Sequence, residues 1–312
     1  TIMSGVMQML LAGTAAVPSG QQEYYSYGTY SFVVPASVTS VSAMVLGGGG
    51  TRGGGGGGCA YGTMSVTPGE TLTVVIGRAG LWGVSNGTTT SISRGATQLI
   101  AGLGGANGNG STAAGGAGGS YSVNSTYVTS YGGGNGGNAG TGTINNGLCA
   151  NGGGGAAGYT GNGGNGGSWV SGNNGTAGTS GSGGGAGGGG GGSEFQDYDA
   201  TCDYYQYIYA GGAQSGGSLG IYGQGTSGGG GNGQTYGALS VDSSGGGYGS
   251  GGLGNPFPGA GTPGGEYREV LDGSCTVSTT YSAFNNGDYY SGAARIIWGT
   301  DRAYPSTNTA NV

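Results

Sequence analysis

The sequence predicts a mainly β fold: an antiparallel β-sandwich built from the N- and C-terminal segments, with a polyglycine II-type helix bundle and long loops in the middle. Three observations lead there. Gly accounts for 89 of the 312 residues, against only 7 Pro. Short β-branched and aromatic runs, separated by turn residues, gather towards both ends of the chain. Helical periodicity is confined to a short apolar arm at the N terminus.

The arm, residues 1–20, carries Met3, Val6, Met7, Met9, Leu10 and Leu11 and ends at Val17-Pro18-Ser19-Gly20. Met-rich apolar surfaces adapt to partners, so these six residues are expected to form an assembly arm inserted into a neighbouring subunit or fibre. The competing reading packs the arm onto its own domain. It lacks the basic start of a secretory signal, which leads to the expectation of a near-complete product made without a cleaved leader.

Residues 21–105 form the first half of the sandwich. Strand-like runs fall at 30–34, 38–46, 61–66, 72–76 and 97–101. Pro35-Ala36-Ser37 reads as a turn, and Pro68-Gly69 between two strand patterns is a strong turn signal. Residues 266–312 return to β-like composition, and the run 294–298 is expected to close the sandwich begun at Tyr30.

Between them, residues 106–265 are the glycine-rich body, with a Tyr/Asp-rich insert at 193–210. Gly and Pro at this level without a sustained period is ordinarily a signature of low complexity. An ordered chain of this kind loses unusually large backbone entropy and brings few side chains to bury. Backbone hydrogen bonding between neighbouring segments is the available compensation, in a three-residue left-handed helix that has no internal hydrogen bonds and must bond to its neighbours. Collagen needs Gly at every third position with abundant Pro, and the chain has neither. Tyr121, Val123, Tyr127, Val128, Tyr131, Ile144, Leu148, Tyr159, Trp169 and Val170 interrupt the body and are expected to mark turns or apolar edges between glycine helices.

Residues 28–41 (GTYSFVVPASVTSV), 46–50 (LGGGG) and 66–80 (VTPGETLTVVIGRAG) resemble the glycine-rich domain of tail fibres and tail-associated adhesins of tailed bacteriophages. The resemblance covers roughly 28–105. The glycine tracts that follow look like the polyglycine-helix bundles of tail-fibre tip adhesins. The closing segment, 291–299 (SGAARIIWG) with 302–308 (RAYPSTN), looks like the end of glycine-rich structural proteins of aquatic phages. The resemblance implies a virion-surface or extracellular protein, with identical subunits or other virion or fibre proteins as partners. A host-surface glycan or outer-membrane protein is the implied target.

Composition narrows the chemistry. The net charge is −6, all six basic residues are Arg, and there is no Lys. This disfavours phosphate neutralisation on nucleic acid and attachment to anionic lipid, and no apolar run is long enough for a membrane-spanning helix. With no His and no Lys, the usual bases of nucleophilic catalysis are missing. The local acidic cluster Glu194, Asp197, Asp199 and Asp203 lacks the Gly and terminal Glu of an EF-hand loop and reads first as solvated loop acids. No glycine run continues into Lys-Ser or Lys-Thr, which excludes a phosphate loop. The expectation is a protein that is not an enzyme, with no cofactor and no metal. Cys59, Cys149, Cys202 and Cys275 are widely spaced; they are either disulfide partners, with three pairings open, or buried free thiols.

The insert departs most from the glycine background. Phe195, Asp197, Tyr198, Asp199, Asp203, Tyr205, Tyr207 and Tyr209 are the candidate receptor-binding residues, because Tyr offers large contact area at low entropic cost. Alternation places Tyr205, Tyr207 and Tyr209 on one face if the segment is extended. The competing reading is a strand packed on glycine helices. The expected function is display of glycine-rich loops for host-surface binding; the alternative is a self-assembling filament subunit or a capsid or tail decoration protein linked through the arm.

Overall fold

The computed structural model describes residues 17–51, 53–81, 85–108, 114–144, 148–149, 151–169, 174–191, 193–199, 202, 204–211, 216–217, 219–232, 266–271, 274–282 and 291–312. The arm residues Met3, Val6, Met7, Met9, Leu10 and Leu11 lie outside this set. The described residues are mainly β and include no α-helix.

The strands are β1 (Gly20–Tyr24), β2 (Gly28–Val33), β3 (Ser40–Leu46), β4 (Cys59–Ser65), β5 (Thr71–Ile76), β6 (Thr90–Arg94), β7 (Thr97–Gly102), β8 (Tyr121–Val123), β9 (Val128–Gly134), β10 (Thr143–Ile144), β11 (Leu148–Cys149), β12 (Ser193–Asp199), β13 (Tyr204–Gly211), β14 (Glu266–Leu271), β15 (Val277–Ser282) and β16 (Ala293–Trp298). Two five-stranded antiparallel sheets run β1-β16-β3-β4-β9 and β2-β5-β6-β7-β8. A shared apolar cluster joins them, with Val41, Val45, Met64, Val128 and Ile296 from the first sheet and Phe32, Leu72, Val74, Ile92 and Ile100 from the second.

Local chemistry sets the turns. Gly69, at φ 80°, occupies the left-handed position of the β4–β5 turn, where Glu70 N–H donates to Thr67 O at 2.9 Å. Thr67 N–H in turn donates to the Glu70 carboxylate. The expected strand 294–298 appears as β16 and lies between β1 and β3 rather than beside β2. Its link to β2 is across the core, where the rings of Trp298 and Phe32 approach to 5.6 Å.

β3, in the middle of the first sheet, is buried on both faces, which explains its near-continuous apolar run. Val41, Ala43 and Val45 face the second sheet. Met44 and Leu46, on the alternate face, join Cys59, Tyr61, Ile297 and Tyr304 in a second cluster with Ala156, Ala157 and Tyr159 of the glycine body. Tyr159 stacks on Tyr304 at 5.7 Å and donates its hydroxyl to Gly220 O at 3.0 Å. Burial holds both phenols protonated, Tyr159 well above the ordinary range. Beside them the buried guanidinium of Arg295 donates to Glu23 at 3.0 Å and to the Tyr304 hydroxyl at 3.2 Å. It also donates to Thr309 O, tying the last residues to β1 and β16.

The glycine body is bonded laterally at three-residue spacing. Gly152, Gly155 and Gly158 donate to the carbonyls of Gly167, Gly164 and Gly161 at 2.8, 2.9 and 2.9 Å. Gly154 and Ala157 donate instead to Gly54 and Gly57, both at 3.0 Å, and Ala156 to Gly217 at 3.0 Å. Residues three apart therefore bond to the same neighbour and intervening ones to different neighbours. At the inner glycines the packing leaves no room for a side chain: a Cβ on Gly137 would stand 1.9 Å from Gly164 O, and one on Gly56 2.0 Å from Gly155 O.

Where the body meets solvent, polar side chains replace the missing neighbour. Asn162, Asn165 and Ser168 accept from the N–H of Asn135, Asn138 and Thr141 at 3.0, 2.9 and 3.0 Å. Ser182, Thr179 and Thr176 accept from Asn162, Asn165 and Ser168 in the same way. Outward N–H groups are thereby satisfied without a further glycine segment.

Candidate functional site

The Tyr/Asp-rich insert forms a hairpin, β12 and β13, within a four-stranded antiparallel sheet ordered β12-β13-β14-β15. Of the segment 266–312, β14 and β15 belong to this sheet, while β16 belongs to the first five-stranded sheet. A disulfide between Cys202, which follows β12, and Cys275, which precedes β15, with Cα atoms 5.4 Å apart, staples the two hairpins at one end of the sheet.

β13 is extended, so alternation puts Tyr205, Tyr207 and Tyr209 on one face. Cross-strand register adds the rest. Tyr198 is opposite Tyr205, Gln196 opposite Tyr207 and Glu194 opposite Tyr209, which places Tyr198 on the same face. Phe195, Asp197 and Asp199, opposite Ile208, Gln206 and Tyr204, occupy the other. The hairpin thus separates Tyr198, Tyr205, Tyr207 and Tyr209 from the two aspartates, which share their face with Tyr204, and Glu194 from Asp197 and Asp199. Asp203 lies outside the described residues.

The tyrosine face continues across the sheet. Tyr267 on β14 is opposite Tyr209, and Tyr281 on β15 is opposite Tyr267. Sequence reasoning missed these two. Their signal was the β-like composition of 266–271 and 277–282, which does not reveal the pairing with a hairpin more than fifty residues upstream.

The remaining cysteines differ from the stapled pair. Cys59 is free and buried in the cluster beneath the glycine body, and burial pushes its thiol well up, away from the thiolate. Cys149 falls on β11, and its side chain lies outside the described set. Among the described residues no group of three or more His, Cys, Asp or Glu is placed to hold a metal. No protein-family model matches the chain, and no curated protein matches it.

Proposed function

We propose that this chain is a non-catalytic structural and adhesion protein of a virion surface or extracellular assembly, tail-fibre-like in kind. Its two five-stranded sheets form a β-sandwich, and its glycine tracts form a polyglycine II-type bundle that serves as a rigid scaffold. The three-residue spacing of lateral hydrogen bonds supports the bundle, since a helix with three residues per turn returns each third residue to the same neighbour. The four-stranded sheet is the receptor-contacting element. The observation that carries this reading is its tyrosine face, to which all four strands contribute Tyr198, Tyr205, Tyr207, Tyr209, Tyr267 and Tyr281. The disulfide across its loops supports an oxidising, extracellular setting.

The test is adsorption of the labelled full chain to a panel of bacterial envelopes. Binding to at least one envelope, lost in Tyr207→Ser with Tyr209→Ser, is the expected result. Absence of binding across the panel, together with absence of the protein from purified phage tails, contradicts the reading.

A further inference from the structure

A second group of tyrosines lies away from the four-stranded sheet, where the edge strands of the two five-stranded sheets meet. β8 is the edge of one sheet and β9 the edge of the other, and the short turn Asn124–Tyr127 connects them, with Tyr127 N–H donating to Asn124 O at 3.0 Å. Tyr121, Tyr127 and Tyr131 along this rim are 39%, 47% and 50% exposed.

Each ring is placed by a feature of the backbone. Tyr121 lies on Gly133, where a Cβ would come within 2.6 Å of its ring. Tyr131 sits in a β-bulge of β9 opposite Gly62, the register shifting between Tyr61↔Gly132 and Thr63↔Thr129. Ser130, just before it, has φ 47°, a conformation that costs a serine energy and is concentrated at sites with a task. Gly62 makes room for the buried Val128 first and for Tyr131 second, since a Cβ there would be 2.3 Å from Val128 Cγ1 and 3.1 Å from Tyr131 Cβ. Bulges re-aim side chains at sheet edges. From Tyr127 to Gly133 the rim extends roughly 20 Å at ordinary strand rise.

The rim is also uncharged. No Asp, Glu, Lys or Arg occurs between Arg94 and Glu194. Arg94, which donates to Ser65 O near the Tyr127 end, is neutralised by its ion pair with Glu70. The polar groups at the Tyr127 end are neutral, with Asn124 accepting from Thr126 N–H at 3.2 Å; Gln98 and Ser122, bonded at 3.0 Å, are on the opposite face of β8 from Tyr121. Strand addition by a peptide is disfavoured, because β8 is only three residues long and the bulge blunts β9.

We propose that this rim is a binding platform for a neutral glycan. The C–H faces of successive pyranose rings lie on Tyr121, Tyr131 and Tyr127, and the neutral side chain of Asn124 exchanges hydrogen bonds with sugar hydroxyls. Rigid, half-exposed tyrosines beside a neutral amide suit a ligand that is apolar on its ring faces and polar at its edges. The platform is independent of the receptor face on β12–β15, so failure of that face to bind envelopes leaves this proposal standing.

The test titrates the full chain with neutral hexasaccharides (β-1,4-glucan, α-1,4-glucan and β-1,4-mannan), read by saturation-transfer NMR and calorimetry. At least one is expected to bind saturably at millimolar concentration or below, with affinity lost about tenfold or more in both Tyr131→Ala and Tyr121→Ala. Affinity should stay within about twofold between about 0.05 and 0.5 M salt, and in Tyr27→Ala, whose ring lies by Arg78 instead. If Tyr131→Ala fails to fold, Tyr127→Ala supplies the loss and Tyr131→Phe must retain binding. The proposal is overturned if no hexasaccharide binds, if binding survives loss of both Tyr121 and Tyr131, or if it collapses with salt. It is equally overturned if sedimentation shows a dimer that these substitutions dissociate, which assigns the rim to a second copy of the chain.

Discussion

Leu72 in β5 and Gly155 in the glycine body are both hidden from solvent, yet a side chain means the opposite at each. Leu72 is buried because its carbons leave water, a gain of about 1.5–3 kcal/mol for a fully buried aliphatic side chain. Gly155 is buried because it has no side chain: a Cβ would stand 2.3 Å from Ala186 O. What it contributes is a donated bond to Gly164 and an accepted bond from Gly137, both 2.9 Å. Each such bond is worth about 0.5–1.5 kcal/mol net, against about 1–2 kcal/mol to fix one residue of backbone. Main-chain bonding alone therefore leaves the body near balance, and its docking onto the first sheet through Ala156, Ala157 and Tyr159 supplies the apolar burial it lacks.

The sharpest way to break this contrast is to add one methyl group to the body. Gly137→Ala should destabilise the chain by at least about 3 kcal/mol, the upper part of the overpacking range, because the new Cβ meets the carbonyl of Gly164 rather than a movable side chain. Gly229→Ala is the matched control. A Cβ there would have open space within 4 Å, so chemical denaturation should give a change of no more than about 1 kcal/mol, in the stabilising direction.

The junction comes next in size. Tyr159→Ala removes the ring between Tyr61 and Tyr304 and should cost about 3–5 kcal/mol in denaturant unfolding. Tyr159→Phe keeps the ring and loses the hydroxyl bonded to Gly220 and Gly223; about 1–3 kcal/mol is expected. If both variants match the wild type, the body stands without the sheet beneath it.

The smallest expected effect is electrostatic and belongs to the two-sheet core. Burial pushes the Glu70 carboxyl up, but hydrogen bonds from Arg94 and the Thr67 N–H, with the Arg94 charge, hold it below the usual range. A depressed carboxyl stabilises the fold fully above its unfolded pKa of about 4.3 and loses that contribution as pH falls through the lower folded value. Unfolding curves at acid and neutral pH should differ between wild type and Glu70→Gln by no more than about 1 kcal/mol.

Much of the two-sheet core was legible in the sequence. The runs 30–34, 38–46, 61–66, 72–76, 97–101 and 294–298 all overlap strands, because each is rich in residues that suit a half-buried pleated surface. β1 was not legible: Gly20–Tyr24 is polar and holds its place through pairing with β16. β8 and β9 were read as interruptions between glycine helices. Gly132, Gly133 and Gly134 argue against a strand by propensity, but the first two make room for the rings of Tyr61 and Tyr121, so packing overrides propensity. The third layer had a signal in the unbroken apolar run of β3, though sequence gave no partner for its second face. At the candidate site the extended form of β13 could be foreseen. The register that parts Tyr205, Tyr207 and Tyr209 from Asp197 and Asp199 could not, since a shift of one residue in strand pairing exchanges the two faces.

Native-state hydrogen exchange across Gly152–Gly158, set against β3 and β4, tests most directly whether the main chain holds the body together. Gly152, Gly154, Gly155, Ala156, Ala157 and Gly158 all donate to neighbouring segments, so their amides should exchange with protection close to that of Ala43 and Ala60 in the two-sheet core. Exchange of those six amides at the rate of an unstructured peptide, while β3 and β4 stay protected, would contradict the account.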